Sequence, residues 1–235
     1  VITLVNEARR NAMTRAMMSE LADLWDDLAR SDHRCVVITG AGNKGFCAGA
    51  DVSGDLTATP EVAETVNRSL LKTQMFPKPI IAAVNGDCVA GGVELMLASD
   101  IRVAATHARF GLPEVRLSIY PFGGATVKLV HQIGYVHAMK LLLGAQLIDA
   151  EEAARIDLVN DVVPGDQLMD WALNMAETIA ANSPSAVQAV KRKISTEIAE
   201  HALTQEGLDQ ELGDIVRDSP HFKEGVAAFL EKRKP

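Results

Sequence analysis

Apolar and polar positions follow two different periods along this chain, and the point where one gives out divides it. Up to about residue 164, short apolar runs bounded by Gly, Pro or Asn alternate with segments of 3.6-residue period, the pattern of strands interleaved with helices. Strands are expected at residues 1–5, 35–39, 80–84, 101–104 and 158–163. One helix is expected behind Thr14 as N-cap, with Met17, Leu21, Leu24 and Leu28 on one face, and others over 60–75, 94–98, 125–132, 136–143 and 149–156. Beyond residue 164 only the helical period remains, over 167–181, 185–200, 204–218 and 221–232. The division predicts an α/β core with a helical extension. Leu203, Leu208, Leu212 and Ile215 form a stripe on that extension, to be buried on its own core or on a second subunit.

Residues 79–100 change character twice. An apolar run at 80–84 meets the turn pair Asn85-Gly86, and Ala90-Gly91-Gly92 then opens an apolar helical segment holding one carboxylate, Glu94. A strand, a glycine turn and a buried helix are implied. Glycines at a helix start leave backbone N–H groups open, where partial positive charge collects. A second carboxylate, Glu114, lies in the irregular stretch Arg109-Phe110-Gly111-Leu112-Pro113-Glu114. The run Gly40-Ala41-Gly42-Asn43-Lys44-Gly45 matches G-x-G-x-x-G after a strand. No helix follows its third glycine and no acidic strand end stands about 20 residues on, so a dinucleotide site is set aside.

Composition narrows the classes. In 235 residues, 48% are hydrophobic but only 4% aromatic, which suits helices on sheets better than a β-sandwich. A net charge of −8, spread without acidic tracts, argues against a nucleic-acid partner, since phosphate contacts need a clustered basic surface. Arg9-Arg10, Lys191-Arg192-Lys193 and Lys232-Arg233-Lys234 could hold a small ligand's phosphates, but taken alone each reads first as a solvated helix face. Cys35, Cys47 and Cys88 show no paired spacing and read as reduced core thiols, which points to the cytoplasm. The six histidines are scattered, and neither a metal site nor a membrane span is expected. The chain opens directly in a strand-like run, which suggests that native residues precede it.

Desolvation raises a carboxyl pKa, and two neighbouring carboxylates push their values apart, so one can serve as acid and the other as base. Each of the two also fits an ordinary structural carboxylate when taken alone. Two small-residue loops, residues 48–51 and 90–92, could bring backbone N–H groups onto one carbonyl oxygen, an oxyanion hole. Together these features read as enolate chemistry.

The motifs Arg10-Asn11-Ala12-Met13, Phe46-Cys47-Ala48-Gly49-Ala50-Asp51, Val84-Asn85-Gly86, Ala90-Gly91-Gly92-Val93-Glu94-Leu95, Phe110-Gly111-Leu112-Pro113-Glu114 and Phe229-Leu230-Glu231-Lys232-Arg233 span essentially the whole chain. In these the chain resembles the enoyl-CoA hydratase/isomerase, or crotonase, superfamily. The resemblance implies an α/β spiral of ββα units, with residues 1–182 as the core and 183–235 as a helical trimerisation region. It implies an acyl-CoA thioester as substrate, no cofactor beyond the coenzyme A of that substrate, and a homotrimer or dimer of trimers. It places the oxyanion donors at Ala50 and Gly91 and the catalytic glutamates at Glu94 and Glu114. Substrate contacts are implied at Ala48, Asp51, Gly92, Tyr120 and Phe122, and coenzyme A contacts at Arg10, Lys232 and Arg233. Two departures stand out: Val93 replaces the usual third glycine, and Pro121-Phe122 replaces a common Pro-Gly pair, putting a phenyl ring near the expected acyl pocket. Hydration of a 2-enoyl-CoA is the reading favoured, with a double-bond isomerase of the same superfamily or a non-catalytic acyl-CoA-binding assembly protein as alternatives.

Overall fold

Strands buried on both faces read as continuous apolar runs rather than as alternating ones. That is the state of Val36–Gly40 and Ile80–Val84, buried at every position. In the structure, a computed structural model that describes residues 1–51, 59–231 and 233, these are two strands of a central parallel sheet. The strands are β1 (Ile2–Leu4), β2 (Val36–Gly40), β3 (Gly45–Cys47), β4 (Ile80–Val84), β5 (Asp87–Val89), β6 (Ile101–Ala105), β7 (Arg109–Gly111), β8 (Ile148–Asp149) and β9 (Asp161–Val163). The helices are α1 (Arg15–Arg30), α2 (Pro60–Ser69), α3 (Gly91–Met96), α4 (Ala125–Gly144), α5 (Ala150–Arg155), α6 (Leu168–Ala180), α7 (Pro184–Asp218) and α8 (Pro220–Leu230).

The first sheet runs β1-β2-β4-β6-β9, all parallel, and the second runs β3-β5-β7-β8, antiparallel only between β7 and β8. Each of β2, β4 and β6 thus feeds a short strand of the second sheet and then helical structure, the ββα spiral that the resemblance implied. Side-chain alternation splits the core accordingly. Val36, Ile38, Ile80, Ala82 and Val84 face the main core, while Val37, Ile81, Ala83, Val103 and Ala105 pack on Leu168 and Ala172 of α6.

Several expectations shift. Thr14 does cap α1, accepting from Met17 N, but the buried stripe is Met18, Leu21, Ala22 and Trp25, and Leu24 is exposed. Helix α2 stops at Ser69, short of Met75, because Leu71 takes φ +47. Helix α4, by contrast, is two helices that meet at a kink at Gly134, φ +76 and ψ 162, in keeping with the two expected over 125–132 and 136–143. Residues 185–200 and 204–218 form one helix, α7, since nothing between them interrupts the ladder. Strands β3, β5, β7 and β8 are only two or three residues long, too short for a periodic signal. No helix among the described residues is long and apolar enough to cross a membrane.

Candidate active site

Where β3 and β5 end, two loops are forced together by the absence of side chains. After Cys47 the chain turns at Gly49, φ +88, and Met13 pins it there: Met13 N donates to Gly49 O at 2.8 Å and Asp51 N to Met13 O at 2.8 Å. After Val89, Ala90 adopts φ 53 and ψ −127, a sparsely populated region for a residue with a Cβ. Its N–H donates to Gly111 O at 2.9 Å, which ties the turn to β7. Gly92 then leaves no room for a side chain, since a Cβ there would collide with the Cys47 carbonyl. A Cβ built on Gly91 would lie 3.7 Å from Ala50 N, so the two peptide groups are neighbours. Among the described residues neither the Ala50 nor the Gly91 N–H has an acceptor in the fold.

One turn into α3, Glu94 is buried, and its Oε1 accepts from Ala125 N at 3.2 Å at the start of α4. Gly123 must be glycine for the same contact, because a Cβ would meet the Glu94 carboxylate and Leu70. Burial pushes the Glu94 carboxyl up. The hydrogen bonds from Ala125 and Gly123, and the charges of Lys72 and Lys128, pull it back. Glu114 opens a 3₁₀ turn, Glu114–Leu117, and is buried, with Oε2 lacking a hydrogen-bond partner among the described residues. Burial first, and then the charge of Glu94, push it up to about 8. Two carboxyls therefore share one desolvated setting beside two open N–H donors. Such a site can polarise a carbonyl and move protons at neighbouring carbons.

A model of the enoyl-CoA hydratase/isomerase family matches residues 1–235. The chain belongs to this family. It is 40% identical over its whole length to enoyl-CoA hydratase EchA19 of Mycobacterium tuberculosis, covering 91% of that protein. It is 37% identical, again over its whole length, to the 2,3-dehydroadipyl-CoA hydratase of Escherichia coli, covering 93% of it. Among solved structures, the carnitinyl-CoA hydratase of Mycobacterium avium superposes with a TM-score of 0.90 at 35% identity, over 99% of this chain and 92% of that one.

Against the family pattern, both departures are absorbed by packing. Val93 is 1% exposed and joins the main core rather than the site. The Phe122 ring leaves the active-site turn toward α7, where Gly213 makes room: a Cβ on Gly213 would lie 2.7 Å from Phe122 Cε2. Lys72 Nζ lies 4.9 Å from the centre of that ring. Tyr120 points the same way, donating to Asp209 Oδ1 at 2.7 Å. Burial, then the bond to Asp209, push the phenol up.

The remaining expected residues are held by partners of their own. Ala48 N donates to Arg10 O at 3.1 Å, and the Arg10 guanidinium donates to Asp87 at 2.6 Å, which Arg109 also holds. Asp51 pairs with Arg9 at 2.8 Å. Arg233 pairs with Glu224 and Glu231 at the chain end, and Lys232 lies outside the described residues.

Among the buried charges that the sequence reading missed, two lysines lie next to the site. Lys72, fully buried, pairs with Glu206 at 2.7 Å and Asp209 at 2.8 Å, tying the end of α2 to α7. Lys128, also buried, donates to Leu71 O at 2.5 Å. A signal was present for Lys128, a lone cation in the apolar stretch Val127-Lys128-Leu129-Val130, whereas Lys72 stands between Arg68-Ser69 and Thr73-Gln74 and gave none.

Proposed function

We propose that this enzyme adds water across the C2=C3 double bond of a 2-enoyl-CoA thioester. The observation that carries the reading is the pair of desolvated carboxyls, Glu94 and Glu114, beside the two unengaged N–H groups of Ala50 and Gly91. The thioester oxygen accepts from both N–H groups, which draws electron density from C3. Glu94 takes a proton from water as the water oxygen bonds C3, and the electron pair of the double bond becomes the enolate held by those donors. Glu114 then gives its proton to C2. The proton gained at Glu94 replaces the one lost at Glu114, so transfer between them resets the pair.

The division of labour follows from what surrounds each carboxyl. Glu94 has two hydrogen bonds and two lysine charges favouring its ionised form, as a base needs. Glu114 has burial and a like charge favouring its protonated form, as an acid needs. Gly92, Ala48 and Asp51 frame the donors, and Tyr120 and Phe122 shape the acyl pocket from behind through the Gly123 turn. Arg10, Lys232 and Arg233 are the coenzyme A contacts of this reading. Loss of the conjugated enoyl-thioester absorbance tests it: the wild type consumes the signal, and Glu94→Gln and Glu114→Gln lose turnover by orders of magnitude. Undiminished turnover in both variants would refute the reading. Turnover of a 3-enoyl-CoA to its 2-enoyl isomer, with no hydration, would favour the isomerase instead.

The segment 183–235 serves assembly. Val190, Ile194, Leu203 and Ile215 of α7 are each about 60% exposed in the single chain, more apolar surface than one helix face leaves in water. Sedimentation at micromolar concentration is expected to give a trimer or a multiple of it, and a monomer would contradict the assignment.

A further inference from the structure

Lys128 sits on α4 three residues after Ala125, whose N–H holds Glu94 Oε1. Its stem runs past the glycine turn: a Cβ on Gly124 would lie 3.8 Å from both its Cδ and its Cε. Its ammonium ends on the carbonyls of Leu71, at 2.5 Å, and Leu70, at 3.5 Å, where α2 closes. Leu70 itself faces the same Gly123 position as the Glu94 carboxylate. The lysine is thus built into the wall behind the active-site turn, 5% exposed.

What distinguishes this cation is its company. Among the described residues no carboxylate lies within ion-pair distance of it. The charges facing it are Glu94 on α3, Arg102 on β6, Lys72 after α2 and Lys191 on α7. Lys72 is answered by Glu206 and Asp209, and Lys191 by Asp100 at 2.8 Å. Arg102 is held by Ser99, the Leu158 carbonyl and Gln132. Among the described residues, Glu94 is the one anion of the groups facing Lys128. A buried cation without an ion-pair partner is costly even with two carbonyls to donate to, and a methionine of similar length would fill the same space without charge. Beyond holding those two carbonyls, the charge adds a field on Glu94.

We propose that Lys128 is a positioning residue that keeps Glu94 ionised and seated on the start of α4, and so fixes which glutamate of the pair acts as base. The inference rests on the reading of Glu94 as the base. Low dielectric lets the field act without contact, since water does not screen it. Burial pushes the lysine itself down to about 7, with the charge of Glu94 holding it up. The coupling is mutual by linkage: whatever Lys128 does to the Glu94 titration, Glu94 does equally to that of Lys128.

Lys128→Met removes the charge and keeps the volume. The acid limb of the kcat/KM profile is expected to move up by about one pH unit, an opposite charge nearby being worth one to three. That is about a tenfold loss on the acid side, carried by kcat with KM little changed, and Lys128→Arg restores the limb. A folded Lys128→Met enzyme with the wild-type limb would overturn the proposal. A second measurement stands whether or not that variant folds. With ¹³C-labelled lysine, the Lys128 ¹³Cε resonance, assigned by its absence in Lys128→Arg, is expected to titrate about one pH unit lower in Glu94→Gln than in wild type. If Glu94→Gln has lost hydration but the resonance titrates unchanged, this inference alone falls. If Glu94→Gln still hydrates enoyl-CoA, the assignment of the base falls and this inference with it.

Discussion

Replacing Glu114 with glutamine should abolish turnover and at the same time make the protein more stable. The fold holds this carboxyl at about 8 against an ordinary value of 4.5, mainly by burial and then by the charge of Glu94. A raised carboxyl pKa means that the folded state keeps a proton which the unfolded chain gives up. The folded state is therefore penalised progressively as pH rises from 4.5 to about 8. One pH unit corresponds to about 1.4 kcal/mol. At pH 7, about 2.5 units above the ordinary value, the penalty is on the order of 3 kcal/mol, and above pH 8 it reaches about 5 kcal/mol. Glutamine matches the protonated carboxyl in size and carries no charge, so it escapes this cost. For a chain of this length each kcal/mol moves Tm by about 2–4 °C, giving a gain of roughly 6–12 °C at pH 7. Thermal unfolding followed by circular dichroism between pH 4 and 9 reads the difference. The gap between variant and wild type should open above pH 4.5 and close below it, where both states of Glu114 are protonated. A Glu114→Gln protein no more stable than wild type at pH 8, or a gap that does not change with pH, would refute the reasoning.

Other consequences follow from the packing around the site. Gly92→Ala drives a Cβ into the Cys47 carbonyl and parts the two donor loops; kcat should fall by at least tenfold, with about 1–3 kcal/mol lost in urea unfolding. Phe122→Ala empties the notch over Gly213 and should cost about 2 kcal/mol, while Gly213→Leu alone clashes with the ring. Combined, the two should offset, with a coupling of about 1–3 kcal/mol in a double-mutant cycle, and additivity would show that ring and glycine do not share that space. Asp209→Ala leaves buried Lys72 with one partner and Tyr120 with none at that end; a loss of about 3 kcal/mol is expected, against about 1 kcal/mol for Tyr120→Phe.

How much of this was legible beforehand depended on the range of the interaction involved. The runs at β2, β4 and β6 and the Thr14 cap are local, and they stood out because period and capping chemistry are written in adjacent residues. Glu94 and Glu114 stood out because a carboxylate in an apolar stretch breaks the local pattern. The strands β3, β5 and β7 carry too few residues for any period, yet they are what bring Ala50, Gly91 and Glu114 to one place. The Phe122 ring was expected near the acyl pocket; its partner Gly213 lies 91 residues on, and no local pattern links a ring to a missing side chain so far away. Lys72 and Lys128 were passed over because an isolated lysine on a helical pattern ordinarily marks a solvated face. Only the packed structure shows them pointing inward, one paired with α7 and the other facing Glu94.

In the proposed mechanism Glu94 serves as base toward water while Glu114 carries the proton exchanged at C2. Exchange of the C2 hydrogens of a saturated acyl-CoA in D₂O, followed by proton NMR with wild type, Glu94→Gln and Glu114→Gln, isolates the second of these roles, because no water adds to such a ligand. Glu94→Gln is expected to exchange C2 hydrogens still while failing to hydrate a 2-enoyl-CoA, and Glu114→Gln to have lost both. Exchange that survives in Glu114→Gln and vanishes in Glu94→Gln would contradict this assignment.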